Sequence, residues 1–246
     1  MFKLLPHGPD FTPSIGGSPI QALVCSHAAD VALWLIDLET MGTTGHERIL
    51  SAAEQARANR FRFTHHAQHY RASHLALRQI LGRVTDMEPP ALEFREGPHG
   101  KPHLRGRSPW HFNMSHSAGW ALIGVSTRGP IGVDLEMVKP LNDAPLLAQK
   151  NFSAGEYAEY QRLPTADQTD AFFRCWTRKE ACLKALGSGL SIEPAVFEAG
   201  LHDAPQTTYI AVDGHACAMT VTCVDLPLTA RAALACLTDP DDPLAN

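Results

Sequence analysis

Apolar and polar positions along the first half of the chain predict a mixture of short strands and longer helices. Three stretches have the apolar runs or the alternation that are typical of strands: 31–37, 110–114 and 120–126. Residues 47–82 carry apolar residues at helical spacing, interrupted near 61–64, which predicts two helices, the second ending at Gly82. Residues 6–20 are rich in Pro and Gly and predict an irregular segment before the first strand.

The second half has a similar mixture in a different order. It opens with a predicted strand at 131–136 and continues with a short helical segment near 153–162. A helix follows from about 170 to 186, where the glycines at 187 and 189 end it. The Pro-rich residues from about 238 onward predict a frayed tail. Three stretches before this tail are strand-like: 209–212, 217–224 and 231–237.

Each half therefore pairs helices with a few strands, which predicts an α+β fold built from two pseudo-symmetric lobes. The sequence Arg-Gly-Pro at 128–130 is a turn signal, so the junction between the lobes is predicted near 127–130. We expect an N-terminal lobe of residues 1–128 and a C-terminal lobe of residues 129–246.

The composition is that of an ordinary folded protein and argues against several classes. With 246 residues, of which 44% are hydrophobic, the chain can bury a substantial core. The formal net charge of −5 argues against a general nucleic-acid binder, which normally carries a basic surplus. The N-terminus lacks the apolar run of a signal peptide, and no stretch approaches the roughly 18 apolar residues of a membrane span. We therefore expect a cytoplasmic monomer without nucleic-acid or membrane partners.

Cysteines and histidines give little support for a disulfide framework or a zinc site. The six cysteines form no C-x-x-C pair, and we expect them to be reduced and mostly buried. Four histidines lie between 65 and 74, and His65 and His69 have the spacing of one helix face. A zinc site needs further ligands, and none is nearby, so a polar helix face is the simpler interpretation.

Two carboxylates on the predicted strand at 131–136 point to one side. Side chains two apart share a strand face, so the apolar residues at 131, 133 and 135 can face a core while Asp134 and Glu136 point the other way. A divalent cation relieves the repulsion between two carboxylates, and such oxygen ligands suit Mg²⁺. The alternative is that both carboxylates are simply exposed on an edge strand.

The predicted helix at 170–186 carries a second charged group. Glu180 and Lys184, at i and i+4, share a face and present a carboxylate and an ammonium, as a site for metal and phosphate would. The alternative is an ordinary ion pair on a solvated face. Lys179 falls within the apolar stripe of this helix, where an ammonium must snorkel to water, find a partner or lose its proton, and we interpret that anomaly as a sign of function.

Four motifs together resemble the Sfp-type 4′-phosphopantetheinyl transferase family. The strand reads Gly-Val-Asp-Leu-Glu at 132–136, and the helix reads Trp-Thr-Arg-Lys-Glu-Ala-Cys-Leu-Lys at 176–184. Phe-Asn-Met-Ser-His-Ser at 112–117 is similar to a third family segment, and Gly-Lys-Pro at 100–102 is similar to a family turn. The motifs occur in the family's order over residues 55–190, and their combination is highly specific.

The resemblance implies an enzyme that transfers 4′-phosphopantetheine from coenzyme A to a serine hydroxyl of an apo acyl or peptidyl carrier protein and releases 3′,5′-ADP. It implies an active site in the cleft between two α+β lobes. Asp134, Glu136 and Glu180 would hold Mg²⁺, with Mn²⁺ as an alternative, on the pyrophosphate. Glu180 would also help deprotonate the serine, and Lys184 would stabilise charge on the leaving oxygen.

The resemblance also assigns contacts with coenzyme A. His116 would contact a phosphate, Ser115 would line the same pocket, and Lys101 and Pro102 would border the adenine. A reading of Ser115 and His116 as a nucleophile and its base fails, because adjacent strand residues point to opposite faces.

The residues for the 3′-phosphate depend on the register of the alignment. In the preferred register, Arg57 binds this phosphate, Arg78 also fits, and His69 stands where the family often has an arginine. In the other register, Arg71 takes that place.

Two further functions stay open. A metal-dependent phosphoesterase or nucleotide hydrolase would use similar acidic ligands and need no carrier. A non-catalytic module that binds coenzyme A or a carrier is the other alternative, although all three acidic positions are present. Because carrier helices are usually acidic, the basic and apolar residues around 139–162 are the predicted docking surface.

Overall fold

The computed structural model describes residues 18–238, apart from residues 27, 29 and 107. The predicted irregular segment at 6–20 and the predicted tail lie largely outside the described residues. The helices of the described part are α1 (Ala52–Ala58), α2 (Thr64–Thr85), α3 (Ala144–Asn151), α4 (Ala154–Arg162) and α5 (Thr165–Leu186). The strands are β1 (Ile20–Leu23), β2 (Val31–Asp37), β3 (Phe94–Glu96), β4 (Pro102–Leu104), β5 (His111–Ser117), β6 (Trp120–Ser126), β7 (Ile131–Met137), β8 (Gln206–Val212), β9 (His215–Cys223) and β10 (Ala230–Leu237).

Two four-stranded antiparallel sheets form the framework of the protein. The first sheet has the strand order β1-β2-β6-β5, and the second has the order β7-β10-β9-β8. The first sheet takes its strands from residues 20–126, and the second takes its strands from residues 131–237. The strands β5 and β7 are therefore edge strands of their sheets. A separate two-stranded ribbon contains β3 and β4.

The two sheets share one arrangement of strand, helix and hairpin. In the first sheet, β2 is followed by the long helix α2 and the hairpin β5–β6, and β6 pairs with β2. In the second, β7 is followed by the long helix α5 and the hairpin β9–β10, and β10 pairs with β7. The prediction of an α+β fold is confirmed, and this matching order is its pseudo-symmetry.

The sheets face each other, and each long helix covers the outer face of one sheet. Along β2, Leu33 and Leu35 belong to the apolar cluster between the sheets, whereas Trp34 and Ile36 belong to the cluster beneath α2. Burial of both faces explains why this strand has a nearly continuous apolar sequence. The helix α5 packs in the same way on β9 and β10 of the second sheet. Four layers result, and β7 lies in one of the inner two.

Two helix boundaries differ from the predictions. The helix α2 continues past Gly82 to Thr85 and ends at Asp86, which adopts a left-handed conformation with φ of 60°. The prediction that Gly82 ends this helix is therefore wrong. Gly82 lies inside the helix, where a Cβ would come within 2.8 Å of the carbonyl oxygen of Met87, so close packing explains the glycine. The helix α5 begins at Thr165 instead of about 170, and Gly187 ends it in the left-handed conformation, as predicted.

Candidate active site

The strand β7 and the helix α5 lie in direct contact. A Cβ placed on Gly132 would overlap the helix backbone at the oxygen of Ala181 and the nitrogen of Ala185. Glycine at this position therefore lets the helix backbone rest on the strand. Because faces alternate along a strand, Asp134 and Glu136 point toward the same helix.

Asp134 and Lys184 meet where the strand contacts the helix. Lys184 Nζ donates to Asp134 Oδ1 at 2.6 Å and to the hydroxyl of Ser115 at 2.9 Å. The Ser115 hydroxyl donates in turn to Asp134 Oδ1 at 2.8 Å. Asp134 is only 4% exposed, so the alternative of a solvated carboxylate does not hold for this residue. Its second oxygen, Oδ2, is buried without a hydrogen-bond partner among the described residues.

Glu136 and Glu180 belong to the same acidic group. Ser117 donates to Glu136 Oε2 at 2.8 Å. Burial raises the pKa of Glu136, and the negative charge of Asp134 raises it further. Burial also raises the pKa of Glu180, with additional contributions from the charges of Asp134 and Glu136. The strand and helix motifs thus form one partly buried acidic site.

The residues of this site fit a magnesium ion that keeps water and phosphate ligands. In the part of the chain that the structure describes, no three Asp, Glu, His or Cys side chains are close enough to enclose a metal ion by themselves. Lys184 also forms an ion pair with one oxygen of Asp134, Oδ1. Mg²⁺ commonly takes one or two protein carboxylates plus substrate phosphates, and the unpartnered Oδ2 of Asp134 offers a ligand atom of this kind.

His116 and Ser115 lie on opposite faces of β5, and the structure does not bring them into one pocket. Burial, followed by the positive charge of Lys184, lowers the pKa of His116 and so favours the neutral ring. A hydrogen bond of 2.8 Å joins His69 Nε2 to Glu39 Oε1 beside it. The cavity in front of His116 has a volume of about 550 Å³, and these side chains line it: Glu39, Phe61, His65, His66, His69 and Tyr70.

Lys101 connects the turn at 100–102 to both motifs of the acidic site. Its Nζ donates to the backbone carbonyls of Ile131 and Ala185, each at 2.9 Å. Burial lowers the pKa of Lys101 to about 8. The ammonium therefore bridges the start of β7 and the last turn of α5. Pro102, the next residue, is exposed on β4.

The arginines predicted for the 3′-phosphate lie on and beside α1 and α2. The guanidinium of Arg57 lies 5.7 Å from the ring centre of Tyr70. Arg57 and Arg60 line a cavity of about 560 Å³ next to α1. Arg71 donates to Asn59 Oδ1 at 2.6 Å. Both registers of the alignment therefore place a cation near the N-terminal end of α2.

Two buried cations have structural partners that the sequence does not reveal. Arg78 is 2% exposed, and it donates to Glu54 and to two backbone carbonyls. Arg78 is thus not available to bind a phosphate. It therefore gives no support to the alignment register in which Arg57 binds the 3′-phosphate. Lys179 is 0% exposed and pairs with Glu156 Oε2 at 2.7 Å. This ammonium finds a partner in the core, which explains its position in the apolar stripe of α5 without a role in the chemistry.

Two family models match the chain. The model for the 4′-phosphopantetheinyl transferase superfamily matches residues 130–236, and the model for the 4′-phosphopantetheinyl transferase N-terminal region matches residues 43–128. The chain belongs to the 4′-phosphopantetheinyl transferase family. The acidic strand β7 and the helix α5 lie within the first match, and the segment at 112–117 lies within the second.

Individual relatives carry the same family name. A protein of Synechocystis sp. provisionally named a 4′-phosphopantetheinyl transferase is 40% identical over 162 residues, which are 65% of this chain and 65% of that protein. The 4′-phosphopantetheinyl transferase HetI of Nostoc sp. is 40% identical over 167 residues, or 66% of this chain and 70% of the relative. The 4′-phosphopantetheinyl transferase Sfp of Bacillus subtilis is 28% identical over 166 residues, or 68% of this chain and 73% of the relative.

These matches confirm the predicted family and the class of enzyme, a holo-acyl-carrier-protein synthase type of transferase. Enzymes of this family use coenzyme A as a substrate and act on carrier proteins. Among the described residues, no helix is both long and apolar enough to cross a membrane.

Proposed function

We propose that this chain transfers the 4′-phosphopantetheine moiety of coenzyme A to a serine hydroxyl of an apo acyl or peptidyl carrier protein. The serine oxygen attacks the phosphorus that bears the pantetheine. The bond from this phosphorus to the bridging pyrophosphate oxygen breaks, and 3′,5′-ADP leaves. The serine proton passes to a carboxylate of the enzyme.

The observation that supports this function most directly is the contact between Asp134 and Lys184. These residues are 50 positions apart in the sequence, yet their charged atoms lie 2.6 Å apart. Glu180 lies one helical turn before Lys184 and is close enough to Asp134 for the two charges to interact. Charged groups from two segments that are distant in the sequence therefore lie together where α5 packs on β7.

Glu180 is the proposed acceptor of the serine proton. Its carboxylate lies one helical turn from Lys184 and near Asp134, beside the point where the serine hydroxyl would approach. Lys184 is the proposed source of positive charge for the bridging oxygen as the bond breaks, because an ammonium held in place needs little reorganisation. Attack in line with the leaving group requires the serine oxygen and the bridging oxygen of 3′,5′-ADP to be held on opposite sides of the transferred phosphorus.

Asp134, Glu136 and Glu180 are the residues that would hold Mg²⁺, or Mn²⁺ in its place. A bound divalent cation would neutralise charge on the pyrophosphate oxygens. The buried and unpartnered Oδ2 of Asp134 supports this assignment, since a buried carboxylate oxygen needs a partner. Glu136 and Glu180 carry raised pKa values, and a nearby cation would lower both again.

The nucleotide part of coenzyme A is assigned to the cavities beside α1 and α2. His116 and Arg57 are its proposed phosphate contacts. An anion beside His116 would raise the pKa that burial lowers and so favour the protonated ring. Lys101 and Pro102 are the proposed border of the adenine. Because the Lys101 ammonium already binds two carbonyls, the stem of this side chain is its more available part. Ser115 would contribute to the acidic site through its hydrogen bonds with Asp134 and Lys184.

The carrier is assigned to the surface around α3 and α4. Leu146 is 69% exposed and Leu147 is 37% exposed, so α3 presents apolar side chains to solvent. Lys139, Lys150 and Arg162 are exposed nearby and would attract an acidic carrier helix. Reversing these three charges should weaken the apparent carrier affinity and its dependence on salt. If neither changes, the carrier docks elsewhere.

The test of the function is the intact mass of an apo carrier after incubation with the protein, coenzyme A and Mg²⁺. We expect the carrier to gain one phosphopantetheine group. Glu180→Gln and Asp134→Ala should nearly abolish this gain, whereas the exposed Glu88, changed to Gln, is a matched control that should keep it. Full activity in both site variants would refute the assignment of the site.

The same experiment separates the alternatives. A phosphoesterase or nucleotide hydrolase would release nucleotide products without any carrier, and a binding module would release none. The boundary between lobes 1–128 and 129–246, the cytoplasmic location and the monomeric state stay predictions of the sequence analysis.

A further inference from the structure

Among the residues that the structure describes, β7 has one edge without a strand partner. It pairs with β10 on one side only, so backbone N–H groups along its other edge need acceptors from elsewhere. The edge strand β5 of the first sheet runs alongside this edge. Its side chains meet β7 at a constant offset of 20 positions, which means that the two strands run in the same direction.

Alternate side chains of β5 accept these N–H groups. Asn113 Oδ1 accepts from the nitrogen of Val133 at 2.8 Å. The hydroxyls of Ser115 and Ser117 accept from the nitrogens of Leu135 and Met137, at 3.3 Å and 3.2 Å. We call these three side chains, Asn113, Ser115 and Ser117, the polar seam.

The serines of the polar seam also hold the carboxylates. Ser115 donates to Asp134 Oδ1, and Ser117 donates to Glu136 Oε2, each at 2.8 Å. A hydroxyl has one proton to donate and two lone pairs that accept. In each serine the hydroxyl donates to a carboxylate and accepts from a backbone N–H of β7. The rotamer of each serine is thereby fixed from two directions. Asn113, in contrast, contacts the backbone of β7 and reaches neither carboxylate through these bonds.

We propose that Ser117 is a positioning residue of the transfer site. By joining the backbone of β7 to the carboxylate of Glu136, it holds that carboxylate on the side of α5, next to Asp134 and Glu180. The first sheet thereby orients the acidic strand of the second. This inference rests on the proposed function, because it assigns Ser117 to the alignment of a proposed metal ligand. Ser117 lies in the segment at 112–117, and its spacing of two from Ser115 is the sequence signal that points to it.

The expected change in metal affinity follows from the role of residues that hydrogen-bond to metal ligands. Loss of a hydrogen-bond partner behind a ligand commonly weakens metal affinity by about 10- to 100-fold. Ser117 contacts one of three proposed carboxylates, so we expect a change at the lower end, about tenfold. A role limited to joining the sheets would change the stability of the fold and leave metal affinity unchanged.

The experiment compares Ser117→Thr with Ser117→Val. These two side chains have nearly the same volume, but only threonine keeps the hydroxyl. Binding of Mn²⁺ to the protein with coenzyme A present, measured by electron paramagnetic resonance, should weaken about tenfold in Ser117→Val and recover in Ser117→Thr. The Mg²⁺ concentration that gives half-maximal transfer should shift in parallel. Asn113→Ala is the matched control, since it breaks the polar seam without touching a carboxylate, and it should lower the unfolding midpoint while leaving Mn²⁺ affinity unchanged.

Equal Mn²⁺ affinity in the valine and threonine variants would overturn the proposal. So would an equal weakening in Asn113→Ala, which would make the seam a purely structural element. If Ser117→Val does not fold, Ser117→Ala and Ser117→Gly take its place, with the same expected loss. Because Mn²⁺ binding is measured without a carrier, failure of the transfer reaction itself would be seen separately from failure of this inference.

Discussion

One methyl group added at Gly132 should separate the two motifs of the active site. In Gly132→Ala, the new Cβ would overlap the backbone of α5 at Ala181 and Ala185, and it would lie 2.9 Å from the carbonyl carbon of Lys184. Cβ atoms essentially never come closer than 3.0 Å to a neighbour, and ordinary contact begins at 3.4 Å. The neighbouring atoms belong to helix backbone, so no side chain can rotate away and the helix itself has to move.

The displaced helix carries Glu180 and Lys184, whereas Asp134 stays on the strand. A misplacement of about 1 Å in a catalytic group costs on the order of 100-fold in rate, and overpacking of a core typically destabilises by about 1–3 kcal/mol. We therefore expect a transfer rate about 100-fold below wild type in a protein that still folds. The assay is the initial rate of mass gain on an apo carrier at saturating coenzyme A, together with a urea unfolding curve.

The matched control for this variant is Gly42→Ala. A Cβ at Gly42 would have no neighbour within 4 Å, so both the rate and the unfolding curve should stay near wild type. A wild-type transfer rate in Gly132→Ala would refute the reasoning that contact between strand and helix aligns the site. A rate loss in the variant that is fully explained by unfolding would refute it as well.

Two further predictions concern the buried lysines. Lys179→Met leaves the carboxylate of Glu156 without its cation in the core, so the free energy of unfolding, measured in urea, should fall by about 3 kcal/mol or more. Unchanged stability together with lost transfer activity would instead indicate that Lys179 takes part in the reaction. For Lys101 the pKa in the folded protein is about 8, below its ordinary value, so between pH 8 and about 10 the unfolded chain holds a proton that the folded protein has lost. The free energy of unfolding of the wild type, relative to that of Lys101→Met, should therefore rise with pH across this window, by at most about 1.4 kcal/mol per pH unit. Urea unfolding at pH 7, 9 and 10 measures it. A difference between the two proteins that stays constant or falls with pH would contradict the burial of Lys101.

The sequence predicts the elements that have strong local signals. The strand at 131–136 and the end of α5 at Gly187 are found where alternation and helix-ending glycine place them. The sequence does not predict α3, because Pro145 and its neighbours are residues typical of a loop. In the structure this proline lies in the first turn of α3, a position that requires no backbone N–H.

Tertiary contacts account for the remaining differences. Lys179 and Glu156 are on different helices, 23 positions apart, and nothing local to either residue indicates the pair. The raised pKa of Glu180 likewise depends on Asp134, which only the packing of α5 on β7 brings near. The polar seam depends on the approach of two edge strands, which alternation along each strand does not specify. Sequence patterns therefore predict which residues share a face, and packing determines which faces meet.

The strand β7 and the helix α5 together form the proposed site of phosphopantetheine transfer. The measurement that tests it most directly is the intact mass of an apo carrier incubated with this protein, coenzyme A and Mg²⁺, with 3′,5′-ADP quantified in the same sample. We expect one phosphopantetheine group on the carrier serine for each 3′,5′-ADP released, and the loss of both products in Glu180→Gln. A panel of carriers that all keep their apo mass, or an equal yield from Glu180→Gln, would contradict it.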